Sequence, residues 1–448
     1  MIPIDHKWRD LPGNVYVGIL LEKMGHQVKY VRIGLEKYYI PSFKPDLLLL
    51  VHLYDKERQF FAQEMSDLGI KIVLAPTEGI PTLDKYRPFA AGIDCDLSSV
   101  DLHFAWNHTM ADLINENTTI EKNKIHVIGV NRFDFYHPPL NSLLKSKKEF
   151  CSVNKMNSEL PIITFATNFT QASFYTKQQD FMEKDAEKLG YKKIMDEMHG
   201  GPRKIAKKDY KSRELLINAF IKLVQSKEHV NFILKTHPSE DHQYYKDKLK
   251  VALGADINRV AIITTAYIWD ILNVTDVLLK RSCTTGVEAW MLGLPTIEMK
   301  LNPEEWYFSE EHASGSDVVS TYLGLELLID NYLNGKPIDQ SLLDARKQFI
   351  TKWCFNNDGN ATKKMVNLID SILKENQPKK IKKLRFKDYL FHKLLLVGDY
   401  FIHDIRVYGF LNTMNKCYID RLGRDDKFFH YSDIKIWKKK INSVLDSH

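Results

Sequence analysis

Short apolar runs alternate with amphipathic segments along the first 150 residues of the chain. The amphipathic segments, such as NVYVGILLEKMGHQV and DKERQFFAQEMSDLG, have the spacing of helices. The apolar runs, each bounded by polar or turn residues, predict buried strands at 2–4, 47–53, 70–76, 100–106 and 124–130. Strands that alternate with helices of this length predict a parallel sheet covered by helices on both faces.

A second cycle of the same kind comes after a polar stretch at 138–160, which we interpret as an interdomain linker. Helices are expected near 211–226 and 241–252. The strands of this cycle are expected at 161–167, 230–236, 260–265, 277–281 and 295–299.

The chain therefore divides into two Rossmann-like α/β domains, residues 1–150 and 151–375, followed by a tail at 376–448. We expect the two parallel sheets to face a cleft. Ligands of such sheets bind beyond the carboxyl ends of the strands, so the residues just after each strand are the candidates for function.

Composition excludes several classes of protein. With 44% hydrophobic and 27% charged residues, the 448-residue chain is ordinary for a soluble globular protein. No run reaches the roughly 18 uncharged apolar residues that cross a bilayer, and the N-terminus lacks the apolar core of a signal peptide, so a cytoplasmic location is expected. The five cysteines are scattered, without the spacing of a disulfide framework or of a metal site.

Charge is concentrated in the tail. Residues 376–448 hold 16 Lys and Arg against 8 Asp and no Glu, a net charge of +8, whereas the whole chain has a net charge of +6. This distribution argues against a nucleic-acid partner for the protein as a whole.

The stretch NFILKTHPSE, residues 231–240, ends a predicted strand with polar groups. Pro238 cannot donate to a sheet and restricts His237 to an extended backbone, which fixes where the imidazole points. Lys235 and His237 can both donate charge-assisted hydrogen bonds to an anion. By itself the stretch is more typical of a strand-ending turn, and a phosphate site is favoured only because a second polar strand end lies about 45 residues later.

That second stretch is DVLLKRSCTTGVEAWMLGLPTIEM, residues 276–299. A strand ends near Arg281, and Ser282, Thr284, Thr285 and Gly286 then lead into a helix, whose N-terminal N–H groups and dipole attract anions. Glu288 could cap this helix or accept ribose hydroxyls. The alternative is an ordinary Ser/Thr cap with a nearby Glu, but three hydroxyl groups and a glycine are more than a cap requires.

The stretch IVLAPTEGIP, residues 72–81, places Glu78 after a strand and before Gly79. A carboxylate at this edge of the sheet could be a general base for an attacking hydroxyl or a nucleophile. The alternative is a solvated Glu beside a turn glycine.

Other stretches at strand ends are less specific. In the predicted loop 5–14, Arg9, Asp10 and Gly13 could contact substrate, and the alternative is a loop that only leads into a helix. After the strand at 161–167, Asn168 or Thr170 could reach a phosphate or the reacting sugar. The polar side chains of the stretch 129–138 are expected to brace the linker rather than to line the cleft: Asn131, Arg132 and Asp134.

Familiar nucleotide and metal motifs are absent from the sequence. It has no GxxxxGK[ST] loop, no GxGxxG fingerprint and no Cys/His cluster at zinc spacing. No DxD-like pair comes after a strand, so we expect no metal requirement and no cofactor.

The ordered set of TEG at 77–79, KTHP at 235–238 and RSCTTGVEAWMLGLP at 281–295 resembles the bacterial GT-B glycosyltransferases of surface polysaccharide synthesis. The resemblance is closer to the enzymes of capsule and lipopolysaccharide assembly that use CMP-activated ulosonic acids. Those enzymes carry an acidic residue before Gly, an HP motif and a Ser/Thr-rich motif. The resemblance extends from residue 1 to about residue 375.

The resemblance implies a GT-B-like fold, an acceptor-side domain at 1–150 and a nucleotide-sugar donor domain at 151–375. His237, fixed by Pro238, would contact the CMP phosphate and help it depart. Glu78 matches the catalytic carboxylate, although the usual acidic pair is here Thr77–Glu78. The donor-binding residues implied are Lys235, Pro238, Arg281, Ser282, Thr284, Thr285, Gly286, Glu288 and Asn168, and the substrate-binding residues are Arg9, Asp10 and Gly79.

The implied reaction transfers a sugar of the sialic, Kdo, pseudaminic or legionaminic type from a CMP donor to a surface glycan or a lipid-linked glycan. Lys235, Arg281 and Arg9 are candidates to bind the carboxylate that an ulosonic acid carries at C2. The alternatives are a CDP-glycerol-type polyol-phosphate transferase, a UDP-sugar enzyme of the same fold, and a non-catalytic scaffold at the membrane.

The tail contains KKIKKLRFKDYLFHKLLL, residues 379–396, in which Lys and Arg alternate with Leu, Phe and Tyr. A basic amphipathic helix of this kind suits the anionic inner face of a membrane. The alternative is a helix that packs back on the N-terminal domain, and both can be true.

Overall fold

The computed structural model describes residues 1–81, 86–176, 183–184, 186–187, 192–355, 357–374, 390, 394, 397 and 428–447. The chain forms two compact α/β units, each built on parallel strands, as the sequence predicts. Unit 1 comprises Met1–Gly79, Ala91–Leu143 and Cys354–His448, and unit 2 comprises Ile80–Ala90 and Leu144–Trp353.

The strands are short and mostly buried on both faces, which is typical of parallel sheets between helices. In chain order they are β1 (Ile2–Ile4), β2 (Tyr30–Arg32), β3 (Leu47–Leu50), β4 (Lys71–Leu74), β5 (Leu102–Ala105), β6 (Ile125–Val127), β7 (Ile162–Ala166), β8 (Asn231–Lys235), β9 (Val260–Ile263), β10 (Val277–Lys280), β11 (Thr296–Met299) and β12 (Asp317–Val319).

The α-helices of the described residues connect or flank these strands. They are α1 (Lys7–Lys23), α2 (Glu36–Phe43), α3 (Lys56–Asp67), α4 (Arg87–Ala90), α5 (His108–Asn117), α6 (Lys147–Asn154), α7 (Ser173–Thr176), α8 (Lys192–His199), α9 (Pro202–Ser226), α10 (His242–Leu253), α11 (Ile268–Leu272), α12 (Thr284–Met291), α13 (Glu310–Ala313), α14 (Tyr322–Leu333), α15 (Gln340–Cys354), α16 (Ala361–Lys374) and α17 (Tyr431–Leu445).

The described strands of unit 1 form a two-stranded sheet, β1-β2, and a four-stranded sheet in the order β3-β4-β5-β6. Parallel pairing joins β1 to β2 and runs from β3 through β6. Two backbone hydrogen bonds in the parallel pattern place β1 beside β3, one from Met1 N to Leu47 O at 2.7 Å and one from Leu49 N to Met1 O at 3.0 Å. β2 therefore lies on one side of β1 and β3 on the other side. The boundary between β1 and β3 is a topological switch point.

Unit 2 has a six-stranded parallel sheet in the order β12-β11-β10-β7-β8-β9. Its first strand, β7, lies in the centre, with β8 and β9 on one side and β10, β11 and β12 on the other. This is the strand order of a doubly wound dinucleotide-binding fold, and its switch point lies between β7 and β10. Buried aromatic and aliphatic side chains, among them Phe165, Phe220 and Phe232, pack the sheet against α9.

The N-terminal stretch 5–14 is not the loop that the sequence suggested, because α1 begins at Lys7. His6 caps the helix by accepting from Trp8 N at 3.2 Å, and Leu11 and Val15 are fully buried. Burial of this apolar stripe outweighs the backbone hydrogen bond that Pro12 cannot donate inside the helix.

The division into units differs from the predicted boundaries at 80–90 and 144–150, which belong to unit 2 rather than to the first domain, and also at the C-terminal side. Residues 354–374, which the sequence assigned to the second domain, belong to unit 1. Asp134 accepts from the first backbone N–H groups of α16, those of Ala361 at 3.1 Å and Thr362 at 2.8 Å, and so caps the helix in that unit. His26, which follows α1, contacts Asp370 of α16 at 2.9 Å.

The end of the tail also packs on unit 1. α17 buries Ile434, Trp437 and Ile441, and Lys438 donates to Glu22 of α1 at 2.6 Å. The basic segment 379–396 lies outside the described residues except for single positions, so its predicted membrane contact stays a prediction. Among the helices described, none is both long and apolar enough to cross a bilayer.

Candidate functional site

The carboxyl ends of β7 and β10 meet at the switch point of unit 2. Asn168, two residues beyond β7, donates through Nδ2 to the carbonyl oxygens of Arg281 and Ser282, both at 3.4 Å. The structure therefore brings together the Asn168 loop and the 281–286 turn, as the prediction of a shared site requires. Switch points of this kind are where ligands of open parallel sheets bind.

Arg281 was expected to contact the donor, but its guanidinium is occupied inside the protein. Its side chain is 1% exposed and donates to Asp209 at 2.7 Å and to Glu305 at 2.5 Å. A further bond from Nη1 reaches the carbonyl oxygen of Asn168 at 2.5 Å. Burial opposes the charge, yet the two carboxylates raise the pKa of Arg281, so it remains a cation. In the structure, the Arg281 side chain connects the 281–286 turn to Asp209, to Glu305 and to the loop of Asn168.

Ser282 is also buried and does not present its hydroxyl to a ligand. Its φ of 27° lies in the left-handed region, which is unfavourable for a residue with a side chain. Glu298 holds this conformation by accepting from the backbone N of Ser282 at 2.7 Å and from its hydroxyl at 3.1 Å. Glu298 in turn pairs with the fully buried Lys280 at 2.6 Å.

Gly286 is required by close packing against the same lysine. A Cβ at this position would lie 2.4 Å from Cδ of Lys280. The glycine therefore allows the first turn of α12 to approach the buried pair.

The N-terminus of α12 comes directly after this strained turn. Thr284 and Thr285 are half-buried, and the thiol of the N-cap residue Cys283 interacts with the backbone N–H and the hydroxyl of Thr285. The N–H groups and the positive end of the dipole at the start of a helix can interact with an anion. Glu288 is 4% exposed, on the buried side of α12, which does not suit the predicted contact with a ribose.

His237 lies where β8 ends, one strand from β7. Its Nδ1 accepts a hydrogen bond from the backbone N of Ser239 at 3.1 Å. This bond favours the neutral tautomer that carries its proton on Nε2, which is a hydrogen-bond donor. Pro238 is the next residue and is half-buried.

Lys235 does not extend toward a ligand as predicted. Its side chain is 9% exposed, and Nζ donates to the carbonyl oxygens of Thr236 at 2.8 Å and Thr264 at 3.2 Å. The ammonium group thus joins the ends of β8 and β9.

Two functional candidates, Thr167 and Glu240, were not predicted from the sequence. Thr167 comes directly after β7, and its hydroxyl accepts from the backbone N of His237 at 3.0 Å. Glu240 is 3% exposed and accepts from the Thr167 hydroxyl at 3.0 Å. A glutamate two residues after the HP pair is the one sequence signal that could have pointed to this contact.

Glu78 is presented on a rigid loop in unit 1. Three side chains hold the backbone around it: Trp106 donates to Pro76 O at 2.9 Å, Arg132 to Thr77 O at 2.6 Å, and Asn107 to Gly79 O at 3.0 Å. The Glu78 side chain itself is 61% exposed. An exposed carboxylate on a backbone that is fixed from both sides is what a catalytic or binding position requires.

Gly79 is restricted to glycine by the same packing. A Cβ here would lie 2.4 Å from Cγ of Trp106. The guanidinium of Arg132 lies 4.8 Å from the ring centroid of Trp106 and donates to Thr77 O, so Arg132 braces this loop.

Arg9 of α1 lies among three carboxylates. It donates to Glu78 at 3.1 Å, to Asp5 at 2.9 Å and to Asp10 at 2.7 Å. Burial opposes its charge, but Asp10 and the other two carboxylates raise the pKa of Arg9. Arg9 is thus a partner that orients Glu78, and the 4% exposed side chain of Asp10 orients Arg9 rather than a substrate.

Two further features of the described residues concern ligands. A cavity of about 550 Å³ in unit 1 lies among α5, β6 and α16, and no predicted site residue lines it. Within the described ranges, no group of three or more His, Cys, Asp or Glu side chains is placed to hold a metal ion.

Comparisons with known proteins give weak likeness only. No family model matches the sequence, and no curated protein matches it at a significant level. A glycosyltransferase from Rickettsia africae ESF-5 is similar in structure at 14% identity with a TM-score of 0.45, covering 83% of this chain and 96% of that one.

Two other solved structures are similar to the same degree. A variant of the wall teichoic acid polymerase TagF soaked with CDPG has 13% identity and a TM-score of 0.49, covering 84% of this chain and 88% of that one. S. aureus MnaA solved with UDP has 14% identity and a TM-score of 0.49, covering 85% and 99%. With each of these TM-scores below 0.5, the likeness assigns neither an activity nor a ligand to this chain.

Proposed function

We propose that the protein is a glycosyltransferase. Unit 2 binds the phosphate of a nucleotide-activated sugar, and Glu78 of unit 1 acts on the acceptor hydroxyl. The observation that supports this most is the switch point of unit 2, where the start of α12 adjoins a strained turn at Ser282 fixed by buried Glu298. Strain held by buried charges is typical of functional turns.

The proposed step is a displacement at the anomeric carbon. The acceptor oxygen forms a bond to this carbon while its proton passes to the Glu78 carboxylate, and the bond from carbon to the phosphate oxygen breaks. The nucleotide leaves as a phosphate monoester, whose charge is stabilised by Nε2–H of His237 and by the N–H groups that begin α12. Glu78 as base predicts inversion of the anomeric centre.

The proposed donor is a CMP-activated ulosonic acid, and the acceptor a surface or lipid-linked glycan at the inner face of the membrane. No metal is proposed to take part. A second donor class is favoured by one observation: Arg9, Arg281 and Lys235, the cations expected to bind a C2 carboxylate, all have partners inside the protein. Donors without that carboxylate, such as CDP-glycerol or a UDP-sugar, need no such cation.

Calorimetric titration of the full chain with CMP, UDP and CDP-glycerol separates these donors. We expect CMP to bind most tightly and His237→Ala to weaken that binding at least tenfold. Tight binding of UDP or CDP-glycerol without a response to CMP would replace the ulosonic donor by the second class. If none of the three nucleotides binds, a non-catalytic scaffold is the better description of the protein.

The role of Glu78 is tested with Glu78→Gln in a transfer assay that uses the donor identified by the titrations. We expect kcat to fall at least 100-fold with little change in donor affinity, since loss of a general base typically costs a factor of about 10² to 10⁴. Glu64→Gln, at an exposed glutamate of α3 in the same unit, is the matched control. Full activity of both variants would remove Glu78 from the mechanism.

A further inference from the structure

We propose that Glu240 is a positioning residue for His237, because its buried carboxylate fixes the loops after β7 and β8 in one arrangement. This inference rests on the proposed function, which gives His237 its role at the phosphate. Glu240 itself does not contact the reacting atoms in this proposal.

The hydrogen bonds of Glu240 span both loops. Its carboxylate accepts from the backbone N of Phe169 at 2.7 Å and from the Thr167 hydroxyl at 3.0 Å, both in the loop after β7. Its other oxygen accepts from the hydroxyl of Tyr245 on α10. Glu240 itself lies in the loop after β8, where its backbone N donates to His237 O at 3.0 Å.

Thr167 connects the carboxylate to the histidine. The Thr167 hydroxyl donates to Glu240 and accepts from the backbone N of His237 at 3.0 Å. Because the hydroxyl has a single proton, its donation to Glu240 orients its lone pair toward His237. This contact is to the backbone N of His237, so Glu240 acts in this proposal by setting the position of the residue that carries the ring.

Glu240 is a buried carboxyl group on which three hydrogen-bond donors converge. Burial raises the pKa of Glu240 to about 7, against the opposing effect of its hydrogen bonds from Tyr245, Phe169 and Thr167. The neighbouring carboxylate of Asp209 adds to the effect of burial. Costly buried polar networks of this kind are retained where a defined geometry matters.

The chain offers a matched control one residue away on α10. Tyr244 donates to Glu214, which also accepts from Lys248, so this is a second Tyr–Glu pair. Glu214 lies on α9, and these two hydrogen bonds reach α10 rather than the loops after β7 or β8. Glu240→Gln and Glu214→Gln therefore each remove a carboxylate that accepts from a tyrosine of α10, although the Glu214 side chain is 27% exposed, and only the Glu240 contacts lead to His237.

The experiment combines CMP titration with ¹⁵N NMR of the histidine ring nitrogens in the full chain, the His237 signals being assigned by their loss in His237→Gln. In Glu240→Gln we expect at least a tenfold loss of CMP affinity and a shift of the His237 signals away from the pure Nε2–H tautomer. Glu214→Gln is expected to stay within twofold in affinity with unchanged His237 signals. Thr167→Val, which removes the connecting hydroxyl and keeps the carboxylate, should reproduce the effects of Glu240→Gln, and Thr167→Ser should restore the wild-type behaviour.

Unchanged His237 signals in both Glu240→Gln and Thr167→Val would overturn the inference. Should Glu240→Gln fail to fold, Thr167→Val decides alone. If the wild-type protein binds neither CMP, UDP nor CDP-glycerol, the proposed function fails, and the NMR signals of His237 still decide whether Glu240 positions this residue.

Discussion

Replacement of Arg281 by methionine tests whether this residue supports the switch-point turn or binds the donor. The substitution leaves the carboxylates of Asp209 and Glu305, which are 1% and 2% exposed, without their cation. Removal of one partner from such a buried ion pair typically costs about 3–5 kcal/mol, because the remaining charge cannot be solvated. For a unit of about 200 residues, each kcal/mol lowers Tm by about 2–4 °C, so we expect a decrease of about 6–20 °C.

Calorimetry of thermal unfolding measures this decrease in Tm. The transition whose Tm differs between the variant and the wild type is assigned to unit 2. The matched control is Arg203→Met, which breaks an exposed pair with Glu183 at 2.8 Å, whose side chains are 56% and 37% exposed. Exposed pairs contribute about 0–1 kcal/mol, so the control should melt within about 4 °C of the wild type. Adding Asp209→Asn and Glu305→Gln to Arg281→Met should recover part of the loss, because the uncompensated charges are then removed.

The two interpretations of Arg281 differ in what else changes. If Arg281→Met melts close to the wild type while CMP affinity falls 100-fold or more, the arginine contacts the donor, and its role as a support for the turn is wrong. A large loss of stability that the neutralising substitutions partly reverse supports the buried network.

Two further predictions concern rigid positions of the sites. Gly79→Ala should lower stability by about 1–3 kcal/mol through overpacking against Trp106 and reduce transfer activity by moving Glu78, as measured by urea unfolding and initial rates. Burial raises the pKa of Glu240 from 4.5 to about 7, so the folded state binds this proton more tightly than the unfolded state. Stability should therefore fall by up to about 3 kcal/mol between pH 4.5 and 7 and level off above, and Glu240→Gln should abolish this fall; an unchanged pH profile in the variant would contradict the assignment.

The hydrophobic pattern predicted the strands that have apolar runs long enough to stand out. β3, with four consecutive leucines, and β8 are both within the predicted ranges. β2 and β12 do not stand out because each has three residues, one of them charged, in YVR and DVV, whereas the equally short β1 is wholly apolar. Their place in the sheets comes from pairing with β1 and β11, which no local pattern contains.

The candidate site was predictable as far as it depends on position along the chain. Residues after parallel strands lie at one edge of the sheet, so the loops of His237 and Asn168 could be expected to be neighbours. The partners of each side chain could not be predicted, since Arg281 pairs with Asp209 and Glu305, which lie 72 and 24 residues away. A basic residue at a strand end looks the same in the sequence whether it faces a ligand or a buried carboxylate.

The two units share a physical principle that the residue types alone do not reveal. In unit 1 the exposed carboxylate of Glu78 is carried by a backbone that Trp106, Asn107 and Arg132 hold through their hydrogen bonds. In unit 2 the half-buried His237 is carried by a backbone that Thr167 holds. In both, hydrogen bonds to the backbone fix the residue while its side chain still reaches solvent, which lets the reacting group keep its position and remain accessible. Substitutions of the supporting residues should therefore reduce function as strongly as substitutions of Glu78 or His237 themselves, although none of the supporting residues touches the substrate in the proposed reaction.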